Sequence, residues 1–200
     1  MSRTDISKHL VHFTKGDGPD DYRGAFSHLQ SIMTDQVLRG NSNLIKGQYS
    51  CVCFSEAPLT SLADGLKNQS GYSRYTPFGV MFDKAWVFAH EGRPVIYEPK
   101  EEFELLPESH RWRHVRYEPT AAVPINFTWD REWRIRGPEL TFQPSDVAVV
   151  VPNSAWRDRL VREFDQQQEY KVESYSTIMD IELAEQYRED FPWRLVVLYE

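Results

Sequence analysis

Apolar and polar positions change period several times along the chain, and each change marks an element. "HLVHF" (9–13) alternates as a strand does, and "TKGDGPDD" after it has the Gly, Pro and Asp content of a loop. Phe26, Leu29, Ile32, Met33 and Val37 recur at helical spacing, with Asp20 or Asp21 to cap the helix and Gly40 to stop it. "SCVCFSE" (50–56) alternates again and runs into "APLTSLADGL", where Pro58 suits a first helical turn and Leu59, Leu62, Ala63 and Leu66 form an apolar stripe. "PFGVMF", "AWVFA" and "PVIY" predict short strands joined by "DK" and "HEGR" as an antiparallel set, with "RHVRY" and "REWRI" as two more strands. "VAVVV" (147–151) is apolar on both faces and belongs in the middle of a sheet. "NSAWRDRLVREF" predicts a capped helix with Trp156, Leu160 and Phe164 on one side; "YKVESYS", a short helical stretch around 178–188 and a final "RLVVLY" complete the chain. The expectation is an α+β fold of two packed or split antiparallel sheets with flanking helices.

Composition narrows this picture. Two hundred residues, 40% hydrophobic and 14% aromatic, suffice for one sizeable core, so residues 1–200 are expected to form a single domain. No apolar run reaches membrane-spanning length, and "MSRTDISKHL" lacks the apolar centre of a signal peptide, which predicts a soluble, cytoplasmic protein without membrane contact. A net charge of −7 argues against broad duplex binding, although it leaves room for a local basic patch. Cys51 and Cys53 are the two cysteines; one residue apart, they lack the spacing of a zinc or redox site, so reduced thiols and no metal are expected.

Four stretches carry candidate chemistry. "FTWDREWRIRG" (127–137) sets Glu132 among two tryptophans and three arginines. Read as a strand, it sends Glu132, Arg134 and Arg136 to one face and Trp133 and Ile135 to the other, so Glu132 is either a paired charge or an acid beside a ligand. His12 in "HFT" is either a hydrogen-bonded structural histidine or a polar anchor at a strand end. Ser55 and Glu56 in "CFSE" stand where N-caps and helix-dipole partners are routine. "HRWRHVR" (110–116) interleaves three arginines, two histidines and Trp112 after the acidic run "EPKEEFELLPE". Its charges either answer that run or guide single-stranded nucleic acid, with Arg111 and Arg113 on phosphates and Trp112 stacked on a base.

In this order, "HFT", the amphipathic helix, "CVCFSEAPL", "YTPFGVMFDKAWVFAHEGRPVIYEP" and "DREWRI" resemble bacterial abortive-infection and phage-resistance proteins related to the ADP-ribosyltransferase fold. The resemblance spans about residues 8–152. It implies NAD as substrate, held by His12, Thr14, Phe54, Ser55, Tyr75 and Arg134, with Glu132 as catalytic carboxylate and Arg111, Trp112 and Arg113 toward the acceptor. Glu56 is the next candidate acid. No Ser-Thr-Ser motif is present, and Tyr75 is assigned only by its order in the chain. The implied role is a toxin or antiviral-defence effector, with single-stranded nucleic acid as a candidate acceptor and an antitoxin or other defence-system protein as a partner. The competing role is a non-catalytic antitoxin or sensor that uses the same fold to bind a partner.

Overall fold

The computed structural model describes residues 6–18, 20–59 and 75–199. Strand β1 (His9–Phe13) pairs antiparallel with β4 (Gly79–Asp83), β4 pairs antiparallel with β10 (Val147–Val151), and β10 pairs parallel with β11 (Arg194–Val197). Together they make a four-stranded sheet in the order β1-β4-β10-β11. Val147, Val149 and Val151 enter the main core with Val80 and Phe82, while Val150 packs on the opposite face with Val11 and Phe13. All five residues of β10 are buried, as a strand covered on both faces requires.

Helix α1 (Tyr22–Asp35) covers one face of this sheet with Ala25, Phe26, Leu29 and Met33. The Asp21 side chain caps it through the Gly24 amide, and the chain leaves through a left-handed Gln36. The helix therefore ends before Val37, which opens strand β2 (Val37–Arg39) against β9 (Glu139–Thr141), and Gly40 is not the stop. Helix α4 (Ser154–Ser176), capped by Asn153, brings Trp156 within 5.0 Å of both the Phe26 and Phe78 rings and absorbs "YKVESYS" as its last turns. Helix α5 (Ile181–Glu185) follows it.

A second, three-stranded sheet, β3 (Cys51–Phe54), β8 (Trp133–Arg136) and β5 (Arg93–Pro94), closes the core from another side with Val52, Phe54 and Ile135. "AWVFA" is not a strand. Asp83 accepts the Ala85 amide and starts helix α2 (Lys84–Ala89). A five-residue apolar run carries no clear period, so the cap decides. "PVIY" is also split: β5 joins β8, and β6 (Ile96–Glu98) pairs parallel with β7 (His114–Arg116), so the expected antiparallel set of adjacent hairpins does not form. Between β6 and β7 lie a 3₁₀ turn (Lys100–Leu105) and the short helix α3 (Glu108–Arg111). The helix expected over "TSLADGL" falls on residues outside the described set.

The fold is thus α+β with several small sheets, and no described helix is long and apolar enough to cross a membrane. The backbones of the two larger sheets are joined at Val11 and Ser55. β1 and the residue after β3 exchange backbone hydrogen bonds, Val11 N to Ser55 O at 2.9 Å and Ser55 N to Val11 O at 2.8 Å. Gly79 lets β4 approach this seam, since a Cβ there would lie 2.4 Å from the His12 carbonyl.

Phe82 is fully buried and touches Phe54, Trp86 and Phe142 across both sheets. Phe82→Ala is expected to destabilise the chain by about 3–5 kcal/mol, read from the shift of its urea unfolding midpoint.

Candidate active site

The seam between the sheets gathers the polar groups. Residues 127–137 are not one strand. Thr128–Asp130 form a 3₁₀ turn, Arg131 takes the left-handed conformation with φ 48°, and β8 begins only at Trp133. The reversal at Arg131 brings Glu132 onto the side of Arg134. Alternation then holds within β8: Arg134 and Arg136 lie opposite Cys53 and Cys51, whereas Trp133 and Ile135 lie opposite Phe54 and Val52.

Arg134 is 4% exposed and makes four hydrogen bonds through its guanidinium. Its Nε donates to Glu132 Oε1 at 2.7 Å and Nη2 to Oε2 at 3.3 Å, while Nη1 donates to the carbonyls of Trp112 at 2.8 Å and His114 at 3.1 Å. Burial works against its charge, but the Glu132 carboxylate outweighs that and holds the guanidinium above its ordinary range. Arg134 therefore orients Glu132 from below, with four of its five N–H donors committed within the fold. The Glu132 side chain is the more accessible end of the pair, 15% exposed against 5%.

His12 projects from β1 beside Phe54 and donates Nδ1–H to the Cys53 carbonyl at 2.8 Å. A carbonyl can only accept, so Nδ1 carries the proton and Nε2 is an acceptor. Burial keeps the imidazole below its usual pKa, with the Cys53 hydrogen bond opposing, which favours the neutral ring. Burial likewise raises both cysteine thiols. They are protonated and unreactive at neutral pH.

Sequence reasoning omits the residue at the centre of this cluster, Asp130. Its backbone carbonyl accepts from Ser55 Oγ at 3.1 Å and the Glu56 amide at 3.1 Å, and its Oδ2 accepts from Tyr75 OH at 3.0 Å. Burial raises its carboxyl to about 6, assisted by Glu132 and opposed by the hydroxyls of Ser55 and Tyr75 and by Lys15. Burial, then Asp130, pushes the Tyr75 phenol well above 10.0. Tyr97 completes the brace: its hydroxyl donates to Phe127 O at 3.2 Å and accepts the Glu132 amide at 3.1 Å. The available signal was the acid two residues before Glu132 in "DRE", which a continuous-strand reading treats as surface.

The other candidates have different surroundings. Thr14 is buried and gives its hydroxyl to the Ala25 carbonyl at 2.8 Å, tying β1 to α1. Phe54 is 2% exposed and belongs to the main core beneath the site. Glu56 accepts Trp133 Nε1 at 2.8 Å and pairs with Lys84. It locks β8 to the strand-to-loop junction.

Around the former basic patch, Trp112 is 7% exposed, packs with Ile45 and Cys51, and donates Nε1–H to Ser109 O. Its ring is part of a small core and is not presented for stacking on a base. Arg111 pairs with Glu104 at 3.1 Å and donates to the carbonyls of Leu106 and Glu104. Arg113 donates to Pro94 O at 2.8 Å. The arginines thus largely answer the acidic run and loop carbonyls around them.

Comparison with family models, with curated proteins and with solved structures finds no match, and the chemistry of the site has to be taken from its own atoms.

Asp130 gives the site a pH signature. Its folded value near 6 lies above the ordinary 3.8, so the folded chain holds a proton that the unfolded chain releases between those values. Stability from this group is therefore lost as pH rises from about 4 to 6, by about 3 kcal/mol in total. Asp130→Asn removes the titration. Its unfolding free energy relative to the wild type is expected to rise by on the order of 3 kcal/mol between pH 4 and pH 7 in urea melts. A gap that does not change with pH would show that the carboxyl is not dry.

Proposed function

We propose that the chain is an NAD-dependent ADP-ribosyltransferase-like enzyme, in which Glu132 serves the ribose that leaves nicotinamide. The observation that carries the reading is the two-point ion pair between Glu132 and buried Arg134, which holds a partly accessible carboxylate in one orientation next to the Asp130 turn.

In the reaction, the C1′–N bond of the nicotinamide riboside breaks and nicotinamide departs with the electron pair. Positive charge builds on the ribose as an oxocarbenium-like species, and an acceptor oxygen or nitrogen then bonds to C1′ as its proton leaves. A fixed carboxylate interacts more strongly with that charge than with the ground state, which lowers the barrier. A bidentate guanidinium supplies the orientation, because it can match both carboxylate oxygens in one plane. Neutral His12, with Nε2 as an acceptor, suits a ribose hydroxyl. To Lys15, exposed and 4.9 Å from the centroid of the Tyr75 ring, we assign the pyrophosphate of NAD, because a cation near a polar site can neutralise phosphate charge.

The defence or toxin setting is supported by the order of the His12, Cys51–Glu56 and Glu132 segments along the chain. Single-stranded nucleic acid stays the proposed acceptor class on the sequence pattern alone, because Arg111, Trp112 and Arg113 are committed to contacts within the fold. A non-catalytic partner-binding component is the second reading, favoured by the internal commitment of Arg134, Thr14 and Trp112.

Incubating the purified chain with NAD labelled in the adenosine half, alone and with cell lysate, separates these readings. The enzyme reading expects nicotinamide release, or label on a macromolecule that nuclease removes and protease does not. It also expects Glu132→Gln, folded by circular dichroism, to lose about 10²- to 10³-fold in rate. Wild-type protein that neither releases nicotinamide nor transfers label favours the partner-binding reading; label removed by protease makes the acceptor a protein.

A further inference from the structure

Asp130 is 6% exposed, and its Oδ1 is buried without a hydrogen-bond partner among the described residues. The other contacts of the residue are explained by the fold: the backbone carbonyl holds the Ser55–Glu56 turn, Oδ2 holds Tyr75, and the Ser55 hydroxyl, whose hydrogen bond goes to that carbonyl, favours the ionised carboxyl without closing on Oδ1. Buried acceptors are nearly always satisfied, and an orphan at a polar seam points to a group that the free chain lacks. Removing a carboxylate oxygen from water with no donor in exchange is unfavourable, a cost that a purely structural turn has no reason to keep. Asn at this position would make the same Oδ contact to Tyr75 without a charge to desolvate.

Resting on the NAD reading above, we infer that Asp130 is a ligand subsite whose free oxygen accepts a neutral O–H or N–H from the nicotinamide riboside half of the substrate. The two sources of that donor are a ribose hydroxyl and the carboxamide nitrogen. Three observations support the placement. Asp130 lies two residues from Glu132, whose charge acts on the Asp130 carboxyl. Glu132 is already neutralised by Arg134, so the pair can receive an uncharged donor without adding net charge. Tyr75 is only partly buried and is held to Asp130 by one hydrogen bond.

The charged and titratable groups that act on Asp130 are Glu132, Tyr75 and Lys15, and Tyr97 senses it in turn. A donor on Oδ1 stabilises the ionised carboxyl, so the proton held by the free site moves to the buffer when ligand binds. Below neutrality, binding and proton release are therefore coupled.

Isothermal titration calorimetry of the wild-type chain with ADP-ribose, and separately with nicotinamide, tests this without turnover. Each titration is run in buffers of different ionisation enthalpy. The expected result is proton release at about pH 6 with one of the two ligands, fading by about pH 7.5. ADP-ribose giving the signal assigns a ribose hydroxyl, and nicotinamide assigns the carboxamide. Asp130→Asn is expected to release no proton and to bind that ligand about ten- to a hundredfold more weakly at pH 7.5. If that variant does not fold, the proton count of the wild type decides.

Binding of either ligand with no proton release by either overturns the subsite and leaves the NAD reading standing, as does NAD turnover with no measurable binding of either. Proton-coupled binding without NAD turnover keeps the subsite and overturns the catalytic reading. Absence of both binding and turnover overturns both.

Discussion

A guanidinium taken out of water has to be answered on every side, and the answer given to Arg134 organises this molecule. Two of its edges close on Glu132 and the third reaches the carbonyls of Trp112 and His114. Because those carbonyls belong to Trp112, just after α3, and to His114, the first residue of β7, the arginine joins β8 to a part of the chain about twenty residues earlier. Removing one partner would strand the other charge in a dry place, which is far more damaging than losing a surface pair. The same bond sets both the direction of Glu132 and the burial of the loop beneath it.

The Asp130 turn performs the complementary task on the other side of Glu132. It receives the end of β3 through Ser55 and Glu56 and is flanked by Tyr75 and Tyr97. Ser55 itself bonds to Val11, so the turn is anchored where the backbones of the two larger sheets are joined. Two carboxylates two residues apart thereby acquire opposite environments. Glu132 is ion-paired and partly open, whereas Asp130 is dry and titrates near 6.

The basic segment shows the opposite use of charge. Arg111 meets Glu104, Arg113 meets a proline carbonyl, and Arg116 meets Glu118. These contacts fasten the 3₁₀ turn, α3 and β7 around Trp112, whose ring fills a small core with Ile45 and Cys51. Density of arginine and aromatic residues along a sequence is compatible with a nucleic-acid face or with a brace. Here the solvent accessibility of the tryptophan separates the two.

Elements with a clean period were determined by the sequence itself. β1, the α1 stripe from Phe26 to Met33, the all-apolar β10, the Asn153-capped α4 and the final strand are dictated by spacing and caps, which act over a few residues. So is the sharing of a face by Arg134 and Arg136, since a strand alternates wherever it pairs. Tertiary structure decided what depends on distant partners. It chose helix for the short apolar run of α2, ended α1 before Val37 by pairing β2 with β9, and set β6 parallel to β7. It also separated Glu132, open and oriented, from Asp130, closed and orphaned, although both are acids in the same six-residue string "DREWRI". The physical reason is that desolvation and ion pairing are set by what the rest of the chain brings to a side chain, and that information is not carried by its neighbours in sequence.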